Sequence, residues 1–169
     1  MDYRIEALDV LLNEDCILQR YYPLIPYKEK LLRAIKDAGF CSKDECIGLS
    51  DDALLRFGLP NYELVNLFRR FLVLYDVKDS KFKDINANST NKEEYDAIKE
   101  LYLLPGVKST RARLYYDSGF RNLNKIATAQ PEQIIQKTSE LIVRNGLNLK
   151  VPLLKEVKTH IAVAKALTE

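Results

Sequence analysis

Residues 103–114 read Leu-Leu-Pro-Gly-Val-Lys-Ser-Thr-Arg-Ala-Arg-Leu, a Pro-Gly turn followed closely by Lys108, Arg111 and Arg113. A Gly turn that leads into a helix leaves backbone N–H groups without partners at the helix start, where the helix dipole favours negative charge. The chemistry open to this run is non-covalent capture of an anion. Other chemistries lack their residues. His160 is the only histidine, and the three cysteines are Cys16, Cys41 and Cys46. Cys41 and Cys46 are five apart and far from His160, which disfavours zinc. Phosphate-loop, dinucleotide and nucleophile-elbow motifs are absent. Carboxylates are plentiful, so pairs at helical spacing are no evidence of acid–base work. The expectation is a non-catalytic protein with no cofactor and no metal. His160 has no evident partner and is expected at the surface or its boundary. The cysteines are expected to be small, partly buried side chains.

The elements that must position the run read as helices. Leu31, Leu32, Ile35 and Ala38 mark one face of a helix over 27–38, with Gly39 as its C-terminal cap. Ser50 caps a helix with Asp51 and Asp52 in its first turn, ending at Gly58. Asn61 caps the next, Tyr62 to about Tyr75, with Leu64, Val65, Leu67, Phe68, Phe71, Leu72 and Tyr75 on its inner side. Asn91 with Glu94 three residues on marks another start. Tyr115 and Tyr116 fall within a helix, so one of the two should pack inward. Pro131 sits at a first helical position, followed by Ile134, Ile135, Leu141 and Ile142, and Asn145-Gly146 stops that helix. Pro152 opens the last helix, with an inner stripe of Leu153, Leu154, Val157, Ile161 and Ala164. Lys155, Lys158 and Lys165 occupy its opposite, solvated side. No run alternates apolar and polar residues between hairpin turns, so the fold is expected to be all-α.

The 169 residues suffice for one ordinary domain or two very small ones. Their 26 basic and 24 acidic side chains leave a formal net charge of +2, which is not the footprint of a strongly basic nucleic-acid binder. The charge is uneven, however. Residues 1–90 hold 13 basic and 15 acidic side chains, net −2, and residues 91–169 hold 13 and 9, net +4. No apolar run approaches the ~18 residues of a membrane helix, and the N-terminus is charged rather than signal-like. An odd cysteine count without framework spacing fits a reduced, cytoplasmic compartment. Residues 77–91 are rich in Asn, Lys, Asp and Ser and read as a polar linker. They separate an N-terminal unit, 1–76, from a C-terminal unit, 92–169.

The two units resemble each other. A shift of 80 residues aligns Leu24, Lys28, Arg33, Asp37, Gly39 and Phe40 with Leu104, Lys108, Arg113, Asp117, Gly119 and Phe120, six identities in a 17-residue window without a gap. The shared order of helix, Gly-Phe turn, short helix and longer helix points to a duplicated unit. Residues 103–114 also resemble a helix-hairpin-helix element: Gly106, Val107, Ala112 and Leu114 match its pattern, and the downstream Gly119-Phe120 turn matches its usual sequel. Over about 20–76 and 97–167 the chain resembles bacterial tandem helix-hairpin-helix proteins whose domain has no assigned function. The resemblance implies two tandem helix-hairpin-helix-like (SAM-like) helical units in one compact protein.

It also implies where a ligand would bind. In such an element the amides of Gly106, Val107 and Lys108 face a phosphate, and Lys108, Arg111 and Arg113 add charge, with Arg121 and Lys125 nearby. Those contacts go to a nucleic-acid backbone, so binding would be weak and independent of sequence. Lys108 departs from the family's second hairpin Gly. The first copy departs further: in its hairpin, residues 24–30, Pro26 replaces the first Gly and removes a donor, and Leu32 replaces the small residue held by Ala112. No phosphate site is expected there. Two readings stay open. In one, DNA is the partner of the second hairpin, at 104–112. In the other, Pro105-Gly106 is a plain turn in a protein-interaction module that uses exposed Tyr and Leu.

Overall fold

A computed structural model describes residues 4–74 and 91–169. The expected linker lies almost wholly outside those residues, as does Tyr75. The chain divides into two compact units, Met1–Asp76 and Val77–Glu169. Both are helical, and among the described residues the only β pairing is an isolated bridge between Arg4 and Ser42. No helix among them is long and apolar enough to cross a membrane.

The first unit comprises α1 (Ile5–Leu11), a 3-10 helix (Gln19–Tyr27), α2 (Lys28–Asp37), α3 (Lys43–Ile47), α4 (Asp51–Arg56) and α5 (Tyr62–Val73). The 3-10 segment contains Pro23 and Pro26, whose missing N–H groups rule out a regular α-helical ladder. Tyr21 and Leu24 nevertheless point inward from it, and the Tyr21 ring lies 6.2 Å from Phe71 of α5. Val65, Phe68, Phe71 and Leu72 form the buried side of α5, as the spacing predicts, while Leu64 and Leu67 are only half-buried. Leu31, Leu32 and Ile35 are the buried face of α2, and Ala38 is exposed because the helix has ended at Asp37. Ser42, Ser50 and Asn61 cap α3, α4 and α5 through hydrogen bonds from Glu45, Ala53 and Leu64 amides. Such caps satisfy donors that the helix itself cannot.

The second unit comprises α6 (Lys92–Leu101), α7 (Ser109–Asp117), α8 (Leu123–Thr128), α9 (Pro131–Arg144) and α10 (Leu154–Thr168). Asn91 and Asn122 cap α6 and α8, accepting from Glu94 and Lys125 amides at 2.8 and 2.9 Å. Pro131 begins α9 and Asn145 ends it, as expected. In the core, α10 packs on α8 and α9, and α7 packs on α6 and α9. The inner stripe of α10 differs from the expected one. Leu153 and Leu154 are 72% and 46% exposed, and burial begins at Val157. The helix starts only at Leu154, so those two residues sit on its open end and cannot reach the core.

The same kind of turn closes α2 and α7. Gly39 has φ +93° and Gly119 has φ +97°, a region that a side chain makes costly. The Phe40 amide reaches back to the Ile35 carbonyl at 3.2 Å, and the Phe120 amide to the Tyr115 carbonyl at 2.9 Å. Later in each unit the Leu59 amide bonds Leu54 and the Leu147 amide bonds Ile142, again five residues back.

A candidate anion-binding groove at the second hairpin

The chain between α6 and α7 turns at Pro105-Gly106. Gly106 has φ +71°, and a side chain there would meet nothing within 4 Å. The glycine is therefore needed for backbone conformation rather than for space. Lys108 follows in an extended conformation, φ −121° and ψ −173°, and its carbonyl accepts the first helical bond of α7 from Ala112 at 2.9 Å. No side chain caps α7. Ser109, Thr110 and Arg111 are its first three residues, and their amides lie outside the intrahelical ladder. Aligned peptide dipoles put about half a positive charge at such an end.

An open groove of about 340 Å³ lies against this end, lined by Gly106, Lys108, Thr110, Arg111, Leu114, Leu149, Lys150 and Glu156. Three cations face one carboxylate. Lys108 and Lys150 are exposed, and among the described residues neither pairs with an acid. Arg111 is held: its Nε lies 3.1 Å from Glu156 Oε1, and its Nη1 donates to the Lys150 carbonyl at 3.1 Å. The other Glu156 oxygen accepts the Leu153 amide at 3.3 Å, at the start of α10. One guanidinium thus ties α7, the 149–151 segment and α10 together, and the groove's far wall is fixed by that contact.

Gly106, Lys108 and Arg111 of the expected constellation meet at this groove. Val107 and Arg113 do not. The Val107 side chain is buried and its amide donates to the Leu104 carbonyl at 3.1 Å, so it closes the turn instead of facing solvent. Arg113 leaves α7 on another side. It forms a tight ion pair with Glu94 of α6, lies 3.9 Å from Asp117 and sits 5.9 Å from the Tyr116 ring. Arg121 stacks over Tyr116 at 5.2 Å. Tyr115 is fully buried and Tyr116 half-buried, the division expected of the doublet.

His160 corrects the sequence reading most clearly. It is 1% exposed, a core residue of α10. Its Nδ1 lies 2.8 Å from the Tyr115 hydroxyl, and its Nε2 lies 2.9 Å from the Pro105 carbonyl oxygen. The carbonyl can only accept, so Nε2 carries the proton and Nδ1 accepts from the tyrosine. Burial holds the imidazole below its ordinary value of 6.5 and pushes the Tyr115 phenol up. The ring is therefore neutral near pH 7, and it pins the turn from behind.

Lys150, Thr110, Glu156, Tyr115 and His160 were not legible as partners of the hairpin. Lys150 stands between the Asn145-Gly146 stop and Pro152, where no periodicity reports direction. His160 sits one helical turn beyond Val157 and Glu156, at core spacing, which was the signal available for its burial.

The sequence profile of a family described as a domain of unknown function, DUF4332, matches residues 82–167, just over half of the chain. The chain belongs to this family. The DUF4332 match runs from ahead of α6 into the last turn of α10, so it contains the hairpin, the groove and the His160 contacts. No curated protein and no solved structure matches the chain. Among the described residues no three His, Cys, Asp or Glu side chains are grouped so as to hold a metal.

Proposed function

We propose that the chain is a tandem pair of helix-hairpin-helix-like units, and that the DUF4332 unit binds the phosphate backbone of DNA, independently of sequence, through its hairpin. The observation that carries this reading is the groove at the uncapped start of α7. There Lys108 and Lys150, which form no ion pair among the described residues, line the groove with Thr110 and Arg111 at the open start of the helix. A tetrahedral oxyanion with two free oxygens, as in a phosphodiester, suits such a donor set, and a protein of net charge +2 needs its cations focused to hold one. Arg111, the groove side chain best shaped for a bidentate base contact, is taken up by Glu156 and the Lys150 carbonyl, which favours contacts to the backbone. The role is binding, without catalysis.

Fluorescence anisotropy of the full chain with a labelled duplex tests this. Two or three phosphate contacts weaken binding by about 10- to 40-fold when salt rises from ~50 to ~200 mM. Lys108→Glu/Lys150→Glu should remove that binding. No binding at the lower salt, or binding indifferent to the two reversals, overturns the reading. One observation favours a second reading, a protein-interaction module. Val143, Leu153 and Leu154 are 78%, 72% and 46% exposed in this same unit. Loss of a protein partner on Leu153→Ser/Leu154→Ser, with no DNA binding by the wild type, would select it.

A further inference from the structure

The buried contact behind the hairpin has no part in the anion groove as described, yet it bears on the turn that shapes it. Pro105 immediately precedes Gly106, and its carbonyl is held by a side chain 55 residues away in sequence, on α10. The holder is itself held. The Tyr115 hydroxyl donates to His160 Nδ1, and the two rings meet edge to face, 5.7 Å between centroids and 83° between planes. Tyr115 belongs to α7, the helix whose start the hairpin presents. The imidazole therefore fixes the turn relative to the helix from which the anion-binding amides project.

We propose that His160 is the positioning residue of the hairpin: through Nε2–H it holds the Pro105 carbonyl, the Tyr115 hydroxyl holds the ring at Nδ1, and the groove-forming turn is tied to the neutral ring. Protonation would occur at Nδ1, the only nitrogen with a free lone pair. The new N–H would then point at a tyrosine hydroxyl that currently donates to it. That hydroxyl must rotate and surrender its own partner inside the core, and a buried donor without a partner is costly. The charged groups that act on the ring are Glu156 of α10, which favours the cation, and Arg111 of α7, which opposes it. These two are paired with each other, so their effects on the ring oppose. Among the described residues, α8 and α9 add no charge to it. Burial is the larger influence and favours the neutral form. The Pro105 carbonyl favours the cation, so acidification should keep the Nε2–H bond, break the one that Tyr115 donates, and move the turn together with the ring.

The consequence for DNA rests on the proposed function; the consequence for the turn does not. Both are read on the full chain. In ¹⁵N NMR, the Gly106 and Val107 amides should shift together with the His160 ring as pH falls from about 7 to about 5, while Gly119 and Phe120 stay in place. His160→Gln keeps an N–H in reach of the Pro105 carbonyl and cannot titrate. It should bind a labelled DNA duplex within about twofold of the wild type near pH 7, whereas His160→Leu should weaken binding by about tenfold. Hairpin amides that follow the ring in a protein that binds no duplex would support the positioning role and sink the DNA reading alone. A ring that titrates without moving Gly106 and Val107 overturns the proposal. So does His160→Leu protein whose hairpin amides keep their wild-type shifts.

Discussion

The two helices aligned by the 80-residue shift begin in opposite ways. In the first unit α2 continues directly from the 3-10 helix. Tyr27 is helical, φ −99° and ψ −8°, and the Lys28 amide is already bonded to the Ile25 carbonyl. In the second unit α7 begins after an extended Lys108, so its first amides are open. The aligned lysines differ as well. Lys28 is spent on α1, with its ammonium 3.2 Å from both the carbonyl and a carboxylate oxygen of Asp9. Lys108 forms no ion pair among the described residues, and the nearby Glu156 is taken by Arg111. Shared residues at shared positions therefore do not give shared sites. Pro26 against Gly106 decides the difference, because proline extends the helical path where glycine at positive φ breaks it.

The largest expected effect breaks this comparison on binding. Arg33→Glu/Arg70→Glu alters the charge of the first unit by the same amount as Lys108→Glu/Lys150→Glu alters that of the second. Anisotropy should show the second pair weakening duplex binding by about a hundredfold and the first by about twofold or less. Equal losses would mean that net charge alone matters and that the hairpins do not differ. Next in size is the relay. The position aligned with Tyr115 is Ile35, so the first unit has no counterpart. Tyr115→Phe strands the His160 Nδ1 lone pair, and urea denaturation should show a loss of about 1–3 kcal/mol.

Gly106→Ala should cost about 1 kcal/mol of stability, because the added methyl meets open space and only the backbone conformation is strained. Gly39→Ala and Gly119→Ala should cost about the same as each other, since their conformations match and both are open. A large difference between them would show that the two turns are unlike. Acid sharpens the comparison further. His160 has a lowered value in the folded chain, so its unfolded form takes up the proton first. Its contribution to stability is whole above the ordinary 6.5 and shrinks as pH falls below it. Urea midpoints at descending pH should therefore fall for the wild type and fall less for His160→Gln. The smallest effect is Lys28→Met, which loses a partly exposed ion pair and should cost under about 1 kcal/mol.

The helical elements were largely legible because caps are local. Asn61, Asn91 and Ser50 stand where their side chains accept the amides three residues on. The 3-10 helix was not legible, since two prolines argue against a helix and the tighter ladder around them has no apolar period of its own. Half of the candidate site was legible for a related reason. Gly106 and Lys108 act through backbone geometry that sequence reports directly. Arg113 was misplaced onto the site because spacing within α7 does not reveal that Glu94 waits on α6. Lys150, Glu156 and His160 reach the hairpin only through tertiary packing over 39 to 55 residues.

The most direct measurement is a ¹⁵N NMR titration of the full chain with a short DNA duplex at low salt. The amides of Gly106, Lys108, Ser109, Thr110, Arg111 and Lys150 should shift in a saturable manner, while those of residues 24–30 remain still. Shifts that centre on residues 24–30, or that spread evenly over both units, would contradict capture of phosphate by the second hairpin.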